Sequence, residues 1–250
     1  MHYLIQDTIF HIFLKVLLKI KGLHINNIRR IRMFIEAIFY MVKSGCQWRL
    51  LPDYYGCWRA VHKRFKKWSD QNIWLFLFES VQVDPDMEYV MIDSTIVRAH
   101  ACAAGYGKNS QEQEALGRSR GGFSTKIHTL VDALGNPLKF ILTPGQSSDI
   151  NQAIPLTKEI FDIPVLADKG YDADALIENL KKHHCSAVIP SRCNRKKPRE
   201  HDEFLYKDRN RVECFFGKVK HFRRIFSRFD KKSSVYLSVW HFVGTLIWLR

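Results

Sequence analysis

Between Tyr206 and Phe226 the chain reads Y-K-D-R-N-R-V-E-C-F-F-G-K-V-K-H-F-R-R-I-F, and no other stretch constrains the fold as strongly. Wound as a helix at about 100° per residue, it acquires two distinct faces. With Arg209 at zero, Lys220 falls at about 20°, Glu213 at about 40° and Tyr206 at about 60°. One acid, two cations and a phenol therefore share a narrow strip. Val212, Phe215, Val219, Phe222 and Phe226 fall on another strip, at roughly 220–300°. Such a helix docks on a core through its phenylalanines. It turns a lone carboxylate, set among cations, toward a polyanionic partner and a metal ion.

The overall charge agrees with that partner. Of 250 residues, 39 are Lys or Arg and 25 are Asp or Glu, a net charge of +14. An excess of this size points to nucleic acid or to an anionic membrane surface. The membrane reading is the weaker. In the most apolar stretch, residues 1–20, Asp7, His11, Lys15 and Lys19 recur every four residues as a polar stripe. That is an amphipathic helix, too interrupted to span a bilayer and without the charged start or cleavage site of a signal peptide. The six cysteines (46, 57, 102, 185, 193 and 214) never form C-x-x-C and read as reduced thiols of a cytoplasmic protein. His183-His184-Cys185 with Cys193 fits no common zinc spacing, so packing and surface roles are expected there.

Residues 1–84 read as a helical domain. Ile31, Phe34, Ile35, Ile38, Phe39 and Val42 keep helical spacing until Gly45. Gln47-Trp48-Arg49-Leu50-Leu51-Pro52 makes a compact corner. The next helix, about Cys57 to Trp68, sets Trp58, Val61, Phe65 and Trp68 against a basic face of Arg59, His62, Lys63, Arg64, Lys66 and Lys67. Helix, turn and basic helix is the plan of a helix-turn-helix reader of the DNA major groove, with Arg59, Lys63 and Lys66 as candidate contacts. Asp84-Pro85-Asp86 is turn chemistry and marks the boundary with residues 85–250.

Beyond it the pattern becomes α/β. Tyr89–Asp93 is an apolar strand with its carboxylate at the end. Residues 126–131 and 138–142 form a hairpin across Asp132–Pro137, where Asp132 serves the turn. Two further strands, 164–167 and 187–190, alternate with helices, and the first ends in Asp168. The order strand, hairpin, helix, strand, helix, strand, helix predicts a mixed sheet flanked by helices. Carboxylates at the tips of buried strands are costly unless a cation lies between them. Asp93, Asp168 and Glu213 together suit a pair of Mg²⁺ ions, and such a pair can cleave a phosphodiester. Tyr206, Arg209 and Lys220 would then hold the phosphate backbone.

The spacing Tyr206-x2-Arg209-x3-Glu213-x6-Lys220 resembles the Y-R-E-K signature of bacterial insertion-sequence transposases of the DDE type. Residues 117–128, Thr143-Pro144-Gly145-Gln146 and Asp168-Lys169-Gly170-Tyr171-Asp172 resemble further blocks of these proteins. Gly45–Pro52 and the closing Leu246-Ile247-Trp248-Leu249 are most similar to the insertion sequence five family. The resemblance covers residues 28–250. Residues 1–22 depart from it, lacking a polar, tryptophan-bearing start, as a shifted frame or a misplaced start codon would leave them. The resemblance implies an RNase H-like catalytic fold preceded by the helical DNA-binding domain, with Asp93, Asp168 and Glu213 as triad and metal ligands. It implies Mg²⁺, replaceable by Mn²⁺, with cleavage of double-stranded DNA at inverted repeats and attack of the freed 3′-hydroxyl on target DNA. Arg118, Arg120, Lys126 and His128 are expected to bind backbone near the site, as are Lys169 and Tyr171. Synapsis of two ends suggests a homodimer, at work in the cytoplasm on the nucleoid. A non-catalytic repressor, a decayed copy and a nuclease without strand transfer are the competing readings.

Overall fold

The computed structural model describes residues 4–23, 25–104, 113–119 and 121–250. Its first part is helical: α1 (Asp7–Leu17), α2 (Ile28–Ser44), α3 (Trp58–Asp70) and α4 (Ile73–Ser80). Helix α2 begins where the Asn27 side chain accepts the Arg30 amide, at 2.9 Å, and ends at Gly45 in the left-handed region. Between α2 and α3 lie two 3-10 turns, Trp48–Leu50 and Asp53–Tyr55. That connection, residues 45–57, is longer than the three- or four-residue turn common in helix-turn-helix pairs.

The sheet follows: β1 (Val90–Ala99), β2 (Gly117–Ser119), β3 (Gly122–Val131) and β4 (Pro137–Pro144), then β5 (Val165–Leu166), β6 (Ala187–Val188) and β7 (Ser227–Arg228). Strand β3 lies antiparallel between β1 and the pair β2 and β4, while β5 and β6 continue the sheet parallel to β1. Helices α5 (Ile150–Thr157) and α6 (Asp174–Lys182) cover one face. Their Ala153, Leu156, Leu176 and Leu180 pack with Val90 and Ile92. The other face carries α7 (Glu203–Tyr206), α8 (Asn210–Lys220), α9 (Arg223–Phe226) and α10 (Ser233–Trp248), packed with Met91 and Val97. Asp132 serves the hairpin turn as expected. Its carboxylate accepts the amides of Leu134, Asn136 and Asp86 at 2.7–3.3 Å.

Two expectations change. Strand β1 does not stop at Asp93 but runs to Ala99, because residues 94–98 pair antiparallel with β3. The Tyr206–Phe226 helix is also interrupted. A 3-10 turn, Lys207–Arg209, precedes α8, and Phe222 in extended backbone separates α8 from α9. The break resets the helical phase. Phe222 stays buried, but Phe226 leaves the core and is 65% exposed.

Residues 1–84 and 85–250 share one core instead of folding apart. The Phe242 ring of α10 packs at 5.9 Å from Phe13 of α1 and 5.5 Å from Trp74 of α4. Helices α4 and α10 meet at Gly244, where an added Cβ would lie 2.5 Å from the Phe78 ring. That ring is buried and already stacks on both Phe140 and His241, so it can yield only by disturbing them. Gly244→Ala should therefore lower stability by about 1–2 kcal/mol, overpacking outweighing the gain in helix propensity, as a fall in thermal midpoint would register.

His241 gives a pH signature. Burial alone holds its imidazole down at about 4, against 6.5 for the free group. The folded pKa lies below the unfolded one, so the unfolded chain takes up the proton first. Stability is therefore lost as pH falls from about 6.5 to 4, by up to about 3 kcal/mol. His241→Phe keeps the ring stack, and its unfolding midpoint should match wild type at neutral pH and exceed it at pH 4.

Candidate active site

Strand β1 has one edge fully paired to β3. On its other edge β5 covers Val90 and Met91, and β7 covers Arg98 and Ala99, leaving residues 92–97 between them. Asp93 sits in this gap with its side chain 18% exposed. Its Oδ1 accepts the Ser94 amide at 2.7 Å and its Oδ2 accepts Arg209 Nη1 at 3.0 Å. The same guanidinium donates through Nη2 to Glu213 Oε1. Glu213 lies one turn along from Arg209, so 3.6-residue periodicity brings both onto the strip read from the sequence.

What aims Arg209 is the turn before α8. Tyr89, just ahead of β1, donates its hydroxyl to Asp208 Oδ2 at 2.8 Å, fixing the Lys207–Arg209 turn to the strand's base. Burial, then the Asp208 carboxylate, push that phenol up to about 12, so it remains a donor at neutral pH. The Arg209 guanidinium also lies 6.0 Å from the Tyr206 ring.

Burial pushes the Asp93 carboxyl up to about 6. The Ser94 amide and Arg209 oppose the rise, while Asp168 and Glu213 add to it. Asp93 thus feels both other acids. Asp168 follows β5 directly and caps the 3-10 turn Lys169–Tyr171, its Oδ1 accepting the Gly170 amide at 2.8 Å. A Cβ at 170 would lie 2.8 Å from Asp168 Oδ1, so a larger residue there would displace the carboxylate. Among the described residues no three His, Cys, Asp or Glu side chains stand close enough to hold a metal as placed. Arg209 occupies the position between Asp93 and Glu213 where a cation is electrostatically required.

Several expected DNA contacts lie elsewhere. Lys126 is buried, its Nζ donating to Ser147 O at 2.7 Å and pairing with Asp149 at 3.1 Å. His128 is wholly buried on β3, 2.8 Å from Thr143 Oγ1, and Tyr171 is 1% exposed. None of the three can reach a DNA backbone. Lys66 is held by Asp70 at 2.6 Å. Arg59, Lys63, Lys169, Lys220 and Arg118 are exposed, Tyr206 is half-buried, and Arg120 lies outside the described residues. The loop arginines are largely engaged. Arg195 and Arg199 bind Asp172 at 2.7 and 2.6 Å, and Arg192 donates to Lys169 O and Gly170 O. This brace, and Asp149, were missed from sequence. The D-K-G-Y-D block already contained Asp172, and Asp149 lies three residues past Gln146.

Two sequence families match the chain. The family described as "Transposase DDE domain" matches residues 84–241, and "Putative transposase of IS4/5 family" matches residues 7–78. The chain belongs to the DDE transposase family. It is 39% identical over 132 residues to "Putative transposase for insertion sequence element IS6501" of Brucella ovis, over 51% of this chain and 99% of that one. It is 30% identical over 143 residues to "Putative transposase for insertion sequence element IS402" of Burkholderia cepacia, over 52% of this chain and 64% of that relative. Among solved structures, the piggyBac transposase in a synaptic complex with hairpin DNA superposes with a TM-score of 0.53 at 11% identity. The match covers 97% of this chain and 71% of that one, and supports the RNase H-like fold. The second family begins at residue 7, inside the stretch that departs from the expected start, and Phe10, Phe13 and Leu17 of α1 are in the core. Among the described residues no helix is long and apolar enough to cross a membrane.

Arg209→Gln leaves Asp93 and Glu213 facing each other without a cation. With chelator present it should cost about 1–3 kcal/mol of stability. Added Mg²⁺ should recover more in the variant than in wild type, since linked stabilisation grows with affinity. Thermal midpoints insensitive to Mg²⁺ in both proteins would exclude Arg209 as the occupant of a cation's position.

Proposed function

We propose that this chain is a DNA transposase that binds the inverted repeats of an insertion sequence, cleaves there, and joins the freed 3′ ends to target DNA. The observation that carries this reading is the Arg209 guanidinium shared by Asp93 and Glu213, with Asp168 at the end of the neighbouring strand. Asp93, Asp168 and Glu213 are the metal ligands. All three offer hard carboxylate oxygens, the donors that Mg²⁺ and Mn²⁺ prefer, and burial of Asp93 favours a cation beside it. Two such ions, when bound, activate the attacking oxygen and stabilise the leaving one in phosphodiester cleavage.

The chain's own residues do the remainder. The Ser94 amide orients Asp93. Arg209 exchanges its two carboxylates for a backbone phosphate when DNA arrives, which frees both acids together. Lys220 on the same helical face, with exposed Lys169 and Arg118, tracks the backbone together with Arg120, and Arg59 and Lys63 of α3 extend the basic surface. Tyr206 supports Arg209 from its ring face. Two copies acting on the two ends form the synaptic homodimer, on the DNA of the nucleoid.

The test is cleavage of supercoiled DNA carrying the inverted repeats that flank the gene. Wild type should break it at the repeat ends with Mg²⁺ and not with chelator, and Asp168→Asn should lose the breaks by at least about a hundredfold. Tight repeat binding without cleavage by either protein would instead identify a repressor. Metal-dependent breaks without joined products would identify a nuclease.

A further inference from the structure

Side chains alternate across a strand, so Ser94 points away from α8 toward the face covered by α5. There its Oγ donates to Asp149 Oδ1 at 2.6 Å, just ahead of α5. Lys126 Nζ lies 3.1 Å from the same oxygen, with only 10% of its side chain exposed. His128 Nδ1 stands 3.6 Å from it, but burial holds that imidazole down at about 4, so Lys126 is the counter-charge. The buried Tyr171 phenol also lies close enough to feel the charges of Asp149, Asp93 and Asp168. The Ser94 amide meanwhile donates to Asp93 Oδ1 at 2.7 Å. One residue thus connects two carboxylates on opposite faces of the sheet, at a stretch of β1 whose free edge no strand among the described residues supports.

We propose that Asp149 is a positioning residue of the active site, holding the Ser94 side chain from behind the sheet so that the Ser94 amide presents the Asp93 carboxylate. This rests on Asp93 being a metal ligand. A half-buried lysine–carboxylate pair is a poor way to fill a sheet face if packing is all that is required, since desolvation offsets its attraction. Its value here is orientation. Lys126 holds Asp149 in place, Asp149 fixes Ser94, and Ser94 fixes Asp93. Ligand orientation by partners that never touch the ion is a recurrent requirement of metal sites.

Mn²⁺ is the probe, its binding to the full-length protein followed by the paramagnetic resonance of the free ion. Ser94→Ala and Asp149→Ala should each weaken Mn²⁺ binding by about tenfold. The double variant should be no weaker than Asp149→Ala, because both act through one hydrogen bond. Repeat-DNA affinity with chelator present should stay within about twofold of wild type, because neither side chain faces the exposed cations. Multiplying losses in the double variant, or Mn²⁺ binding unchanged in both single variants, would overturn the inference. If Asp149→Ala does not fold, Ser94→Ala decides alone, since it removes only a hydroxyl. A wild type that neither binds Mn²⁺ nor cleaves would remove the metal reading, and the inference with it. A wild type that does both while the variants match it would remove the inference alone.

Discussion

A carboxylate placed within the central strand of a sheet is unstable unless something charged meets it, and Asp93 is such a carboxylate. Burial pushes it up to about 6 against the opposing pull of one guanidinium. Everything around it follows from that demand. The strand edge is open between β5 and β7, Tyr89 and Asp208 fix the turn that carries Arg209, and α8 sets Glu213 beside it over the opening. A single guanidinium gives one positive charge to two carboxylates. The balance is incomplete, and it leaves the site disposed toward further cations.

The scaffold that holds this arrangement is not confined to the catalytic region. Helix α10 is buried along most of its length and contacts α1 and α4 through Phe242. Buried Arg224 pairs with Asp230 at 2.8 Å, sits 5.2 Å from the Trp48 ring, and donates to Cys46 O. The G-C-Q-W corner is thereby locked to the segment following α8. Packing is continuous across the point, near residue 84, where one sequence family gives way to the other.

Periodicity made α2, α3 and the carboxylate strip of α8 legible, because an apolar stripe at 3.6-residue spacing leaves few alternatives. It failed at Phe226, where a break at Phe222 resets the phase and the aromatic turns outward. Charge was a poorer guide. Lys126 and His128 lie in a block that resembles DNA-contacting sequence, yet they point into the sheet's α5 face and pair with Asp149 and Thr143. In the cationic run of residues 192–199, Asp172 binds two of the arginines. A charged residue's role depends on which opposite charge the fold sets beside it, and that neighbour is usually remote in sequence.

By itself the sequence determined the order of elements, the mixed sheet flanked by helices, the association of Asp93 and Asp168 with two apolar strands, and the helical strip that carries Glu213. These follow from spacing within one segment, where backbone geometry dictates which residues share a face. Only the tertiary structure decided that Arg209 bridges Asp93 and Glu213, that Asp149 supports Ser94 from behind, and that both halves share one core. Each of those depends on pairs far apart in the chain, and local periodicity carries no record of how distant segments approach one another.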